Sequence, residues 1–152
     1  MHLMKNLPTF EPSIALSLSV WVELMKAFSK VRTREMEWIE AHDLTIGQFG
    51  VLELLYHRGE QTIGAVTKLT MSTPGNTTVV IKNLSKRGLI ITKKKEGDRR
   101  TTLVAITAEG EALIAKIFPQ HAQNIEHFFK GLSHDEQQNL RSLLRVLNKS
   151  LK

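Results

Sequence analysis

With 152 residues, 41% hydrophobic and 24% charged, the chain is sized for one globular domain with its own core. The absence of cysteine removes disulfides, thiolate metal ligands, cysteine nucleophiles and thiol-based oxidant sensing together, and charge interrupts every apolar run well before the roughly 18 residues a membrane span needs. A pI near 9.7 with a net charge of +6 points to an anionic partner, and with no secretory signal in view the expected compartment is the cytoplasm.

The residues up to about Pro12 lack helical periodicity and read as an arm that frays or wraps a partner subunit. A long helix is predicted from Ser13 to Ala41, where Ile14, Leu18, Trp21, Met25 and Phe28 recur at helical spacing and Val20, Leu24, Val31 and Trp38 widen the apolar surface. Thr45-Ile46-Gly47-Gln48 fits a capping box, with Leu44 and Phe49 placed as a hydrophobic staple. The helix it opens buries Phe49, Leu52, Leu55 and Tyr56 and stops at Gly59. A short third helix, Thr62 to Leu69, carries Ile63, Val66 and Leu69 on one side.

Thr73 and Pro74 then open a helix that runs to Arg87: the hydroxyl caps free N–H groups, and proline at the first helical position loses no bond. Thr77, Val80, Ile81 and Leu84 form its buried stripe. The opposite stripe presents Gly75, Val79, Lys82 and Lys86, bordered by Asn76, Thr78 and Asn83. Past Gly88, two β-prone runs, Leu89 to Thr92 and Thr101 to Ile106, flank Lys93, Lys94 and Lys95 and a charged loop from Glu96 to Arg100. They read as a β-hairpin. Eight basic and two acidic residues lie between Lys82 and Arg100, which accounts for the whole net charge of the chain and leaves the remainder neutral.

Thr107 caps a further helix with Glu109 and Glu111 at its positive end, and Pro119 is expected to kink it. Ser133 to Glu136 is a second capping box, opening a last helix in which Leu140, Leu144, Leu147 and Leu151 repeat. The fold class is therefore mainly α with a small β-hairpin wing, a winged helix-turn-helix flanked by N- and C-terminal dimerisation helices. Within a single domain spanning 1–152, residues 45–106 form the winged-helix region and 1–41 and 107–152 the dimerisation helices. In such folds the second helix enters the major groove of DNA, and two half-sites per turn favour a dimer.

This layout, the string Leu84 to Ile90, and Asp98-Arg99-Arg100 followed by Leu103 to Gly110 together resemble the MarR family of bacterial transcription regulators over nearly the whole chain. The resemblance implies that Arg100 enters a minor groove, steadied by Asp98, with Arg99 on phosphate. It further implies a homodimer on an inverted-repeat operator in double-stranded DNA, acting as a repressor released by a small aromatic or anionic effector. Trp38, His42, Phe49, Leu52 and His57 would line the effector crevice, although Trp38 and Phe49 suit the core equally well. Thr73-Pro74-Gly75-Asn76-Thr77-Thr78 departs from the serine-rich start common in the family, so a known operator sequence does not transfer.

The expected DNA-facing set is Thr73, Gly75, Asn76, Thr78, Val79, Lys82, Lys86, Lys93, Lys94, Asp98, Arg99 and Arg100. Val79 either meets a thymine C5-methyl group or is an incidental exposed valine. Six histidines include no pair at the i, i+4 spacing that grips zinc on one helix, so neither metal nor cofactor is expected. Glu35 and Glu37 read as solvated charges, and no nucleophile motif or phosphate-binding loop supports catalysis. The competing readings are a sequence-indifferent architectural DNA binder and a helical protein-interaction module.

Overall fold

A computed structural model describes residues 11–151. The arm expected at the N-terminus lies almost wholly outside the described residues. The chain divides into two compact units at His42 and Asp43.

The first unit holds α1 (Pro12–Glu40), which begins with proline in its first turn and has no side-chain cap from Glu11. Trp21, Met25 and Phe28 are exposed, whereas Ile39 is fully buried.

The second unit is built around α2 (Ile46–Arg58). Its capping box is complete: Thr45 Oγ1 accepts from the Gln48 N–H at 3.3 Å, and Gln48 Oε1 accepts from the Thr45 N–H at 3.0 Å. After α2 come β1 (Gln61–Thr62), α3 (Ile63–Leu69), α4 (Pro74–Lys86), β2 (Ile90–Lys95), β3 (Asp98–Ile106), α5 (Ala108–Phe129) and α6 (His134–Ser150). Helix α2 packs against α3, α4, α5 and β3, and this enclosure on several sides buries Gln48 and Val51 as well as Phe49, Leu52 and Leu55. Tyr56, expected on the buried face, is exposed. Leu52, Leu55, Val66, Leu84, Ile90, Val104 and Ile114 fill the interior from several different elements.

The sheet is antiparallel in the order β1-β3-β2. Ile90 pairs with Ile106 and Lys94 with Thr102, and an irregularity between Lys94 and Lys95 brings Lys95 opposite Asp98. The hairpin is thus longer than its β-prone runs. The lysines and the Asp98-Arg99-Arg100 string lie in the strands themselves, and only Glu96 and Gly97 remain as the turn. Strand β1 extends the sheet by pairing Gln61 with Val104 and Thr62 with Leu103.

Helices α3 and α4 end alike. After α4, the Leu89 N–H reaches Leu84 O and the Gly88 N–H reaches Ser85 O, with Gly88 left-handed at φ 72°. After α3, the Ser72 N–H reaches Thr67 O and the Met71 N–H reaches Lys68 O, with Met71 at φ 51°. For a side chain other than glycine this conformation costs about 1–2 kcal/mol.

The junction between wing and α5 explains its threonine and glycine. Thr107 Oγ1 accepts from the Gly110 N–H at 3.2 Å and donates to Gly88 O at 2.7 Å, tying the start of α5 to the end of α4. A Cβ at Gly110 would collide with the carbonyl of Leu89 and approach Ile106 Cγ1 to 2.7 Å. Helix α5 remains one helix across Pro119. Helix α6 opens on a complete capping box at Ser133 and Glu136 and buries none of its residues.

Candidate nucleic-acid interface

Helix α4 presents two chemically distinct faces. Thr77, Val80, Ile81 and Leu84 are buried, while Gly75, Asn76, Thr78, Val79, Lys82, Asn83 and Lys86 are exposed. At its start Thr73 Oγ1 accepts from the Asn76 N–H at 3.3 Å, so the cap residue is committed to the helix end. The Asn76 amide donates to Ser72 Oγ at 2.9 Å, which orients a side chain able both to donate to and to accept from a base edge. The Thr78 hydroxyl donates to Pro74 O at 2.9 Å, leaving its oxygen as an acceptor. A Cβ at Gly75 would meet no heavy atom within 4 Å among the described residues, so packing does not demand glycine there. Its smallness instead leaves room for a surface approaching from outside.

Between α4 and the sheet lies a cleft of about 340 Å³, bordered by Thr78, Lys82 and Lys86 on the helix and by Thr92 and Thr102 on the strands. Ile63, Ile81 and Ser85 complete its lining, so the two lysines stand at an otherwise largely apolar cleft.

The basic residues are not equally available. The Arg87 guanidinium donates to Asp43 O at 2.7 Å and to Gln48 Oε1 at 3.5 Å, so it fastens α4 to the start of α2. Lys93 forms an ion pair with Glu60 at 2.6 Å. Lys94 donates to Thr102 Oγ1 at 3.0 Å across the hairpin. Arg99 and Arg100 are exposed near the wing tip. Asp98 accepts from the Thr101 hydroxyl at 2.6 Å and from the backbone N–H of Arg100 at 3.0 Å. The Thr101 hydroxyl, then the Arg100 N–H, hold its carboxyl below the usual aspartate range.

The expected effector residues fall in two groups. In the first unit the rings of Trp38 and His42 lie 4.3 Å apart, and His42 Nδ1 is 2.8 Å from Trp38 O. In the second unit Phe49 sits 4.6 Å from the buried ring of His121, and the exposed His57 sits 4.6 Å from Phe118. Leu52 is fully buried. Among the described residues no cluster of histidine and carboxylate groups is placed to hold a metal ion, and no helix is long and apolar enough to cross a membrane.

The family model described as transcriptional regulator SarA/Rot matches residues 34–117. The HTH-type transcriptional regulator MhqR of Bacillus subtilis (strain 168) is 33% identical over 129 residues, which cover 85% of this chain and 89% of that protein. The chain belongs to the SarA/Rot and MarR-type winged-helix transcription regulators. Among solved structures it is similar to BpsR of Bordetella bronchiseptica, whose DNA binding is described as regulated by 6-hydroxynicotinic acid, with 29% identity, a TM-score of 0.78 and coverage of 86% of this chain and 98% of that one. Sco3205 of Streptomyces coelicolor, a MarR family regulator solved in complex with DNA, shares the fold at a TM-score of 0.85 with 18% identity, covering 97% and 94% of the two chains.

As a MarR-type regulator the protein is a DNA-binding transcription factor and not an enzyme. The winged helix brings the basic face of α4 and the hairpin onto the two sides of one cleft. Reading the sequence alone missed Glu60, which takes up the charge of Lys93, and the α5 rings of Phe118 and His121 that meet the α2 side chains. It also missed Ser72 and Met71 ahead of α4. The acceptors opposite Lys93 and Arg87 are remote in sequence and carry no local signature. Helical periodicity by itself gives Phe118 no role beyond core.

Proposed function

We propose that the protein is a homodimeric, sequence-specific regulator acting in the cytoplasm, a repressor released by a small aromatic or anionic effector. The observation that carries the reading is the separation of faces on α4, where one stripe is wholly buried and the other exposes small, polar and basic groups in a line. In this reading Asn76 and Thr78 contact base edges and Lys82 and Lys86 neutralise phosphates. Thr73 and Gly75 bring the helix start close to the backbone. Val79, 56% exposed, meets a thymine methyl.

The wing reaches the adjacent minor groove with Arg100, its backbone set by Asp98, while Arg99 and Lys94 lie along phosphate and Lys93 adds less because of Glu60. Residues 45–106 are the reading region, and the helices within 1–41 and 107–152 serve dimerisation. Leu143 and Val146 on α6 are exposed in the single chain, as are Trp21 and Phe28 on α1, and a second copy would remove that apolar surface from water. An effector held near Phe49, His57 and the α5 rings of the second unit would favour dimers whose reading helices no longer match two half-sites.

Selection of bound duplexes from a random DNA pool tests the reading. Enrichment of an inverted repeat with half-sites about one helical turn apart supports it. Binding without enrichment of any sequence would identify an architectural DNA binder instead.

A further inference from the structure

Helices α3 and α4 close with the same pair of backbone hydrogen bonds, yet one uses glycine at the left-handed position and the other uses Met71. Glycine is what this turn favours, because it has no Cβ to crowd the carbonyl. Asp43, the other left-handed residue that is not glycine among the described residues, belongs to a short polar type that tolerates the conformation. Met71 does not.

Nor does the interior use its side chain. Met71 is 93% exposed, more than any other large hydrophobic residue described. It therefore carries a conformational cost at the turn and an apolar cost at the surface together. Its position is specific: Met71 lies two residues before Thr73, the cap of α4, and beside Ser72, whose hydroxyl accepts from Asn76. A strained residue that serves neither turn nor core, standing at the mouth of a reading helix, is a candidate for contact with what that helix reads.

We propose that Met71 is an apolar DNA contact that sets affinity, its thioether chain packing against deoxyribose carbons or a thymine methyl at the edge of the segment read by α4. This rests on the assignment of α4 as the reading helix. An unbranched, polarisable side chain conforms to an irregular apolar surface, and duplex DNA offers such surface at both places.

The test compares Met71→Gly, Met71→Leu and Met71→Gln with the parent and with Lys82→Ala, measuring thermal unfolding and affinity for a duplex carrying the selected repeat. Met71→Gly should unfold a few degrees higher, since the turn is relieved, and yet bind DNA about fivefold to tenfold more weakly. Met71→Gln, with the same strain but a polar end, should lose affinity as well, whereas Met71→Leu should stay close to the parent. Opposite signs in stability and affinity for Met71→Gly, together with a loss of affinity in Met71→Gln, are what a merely structural residue would not produce.

If Met71→Gly and Met71→Gln bind as tightly as the parent while Lys82→Ala binds more weakly, the role of Met71 is overturned and the reading helix stands. A loss in Met71→Gly that Met71→Gln does not share would assign the effect to turn geometry and equally overturn it. If Lys82→Ala is also without effect, the α4 assignment itself fails. Replacing thymines by uracil separates the two supporting cases: an effect of Met71 that vanishes on uracil sites assigns the methyl, and one that persists assigns the sugar.

Discussion

The Asp98 carboxylate and Arg100 are joined through the arginine backbone N–H, at 3.0 Å, and not through the guanidinium. The carboxylate therefore sets the direction of the chain at Arg100 and leaves the charged end outward in solvent. Removing the guanidinium should cost more than removing its support. Arg100→Ala is expected to weaken DNA binding about tenfold, as expected for the removal of one charge-assisted hydrogen bond, and Asp98→Ala less. Fluorescence anisotropy at fixed salt would show this, with circular dichroism unchanged; parent-like binding by Arg100→Ala would remove the wing from the interface.

The same carboxylate predicts a pH response. Its folded pKa lies below the ordinary aspartate value because the Thr101 hydroxyl, first, and the Arg100 N–H stabilise the charged form. A depressed folded pKa means the tie is fully present above the unfolded value of about 3.9 and is lost as pH falls through the folded one. The wing tip is thus indifferent to pH near neutrality. Carboxyl-carbon NMR titration should place the Asp98 midpoint below the usual range, and Thr101→Val should raise it; a midpoint that Thr101→Val leaves in place would discount the hydroxyl.

Salt dependence should sort the wing lysines. Lys94 donates only to a neutral threonine hydroxyl, whereas Lys93 faces Glu60 at 2.6 Å. Lys94→Ala should reduce the slope of log affinity against log salt by about one for each phosphate it no longer neutralises. Lys93→Ala should change it less, and Glu60→Gln should steepen it by releasing the lysine charge. Binding isotherms from about 50 to 200 mM salt, over which affinity should fall by about a thousandfold for the parent, would decide; identical slopes for Lys93→Ala and Lys94→Ala would mean that the ion pair is irrelevant in the complex.

Gly110 and Gly64 should respond oppositely to one added methyl group. At Gly110 a Cβ collides with the Leu89 carbonyl, while at Gly64 it meets nothing within 4 Å among the described residues. Gly110→Ala is expected to destabilise by ~1–3 kcal/mol through overpacking. Gly64→Ala, within α3, should stabilise by ~0.5–1 kcal/mol through helix propensity. Denaturant unfolding reports both directly.

What the sequence by itself determined about this protein is local. The caps at Thr45, Thr73, Thr107 and Ser133 all form, because each is a bond between a side chain and a backbone N–H three residues on. The buried stripe of α4 follows from helical periodicity in the same way, and with it the exposed face. Tertiary structure decided everything that joins distant residues. Strand β1 is two residues long and exists only because β3 lies beside it. The hairpin takes in the lysines and Asp98 because cross-strand register, not the β-propensity of either run, sets its length. Arg87 is withdrawn from the basic face by Asp43, 44 residues away, and Lys93 by Glu60. A formal charge is countable from residue types, but its availability to DNA depends on which acceptors the fold brings within reach, and those bonds have no periodicity to read.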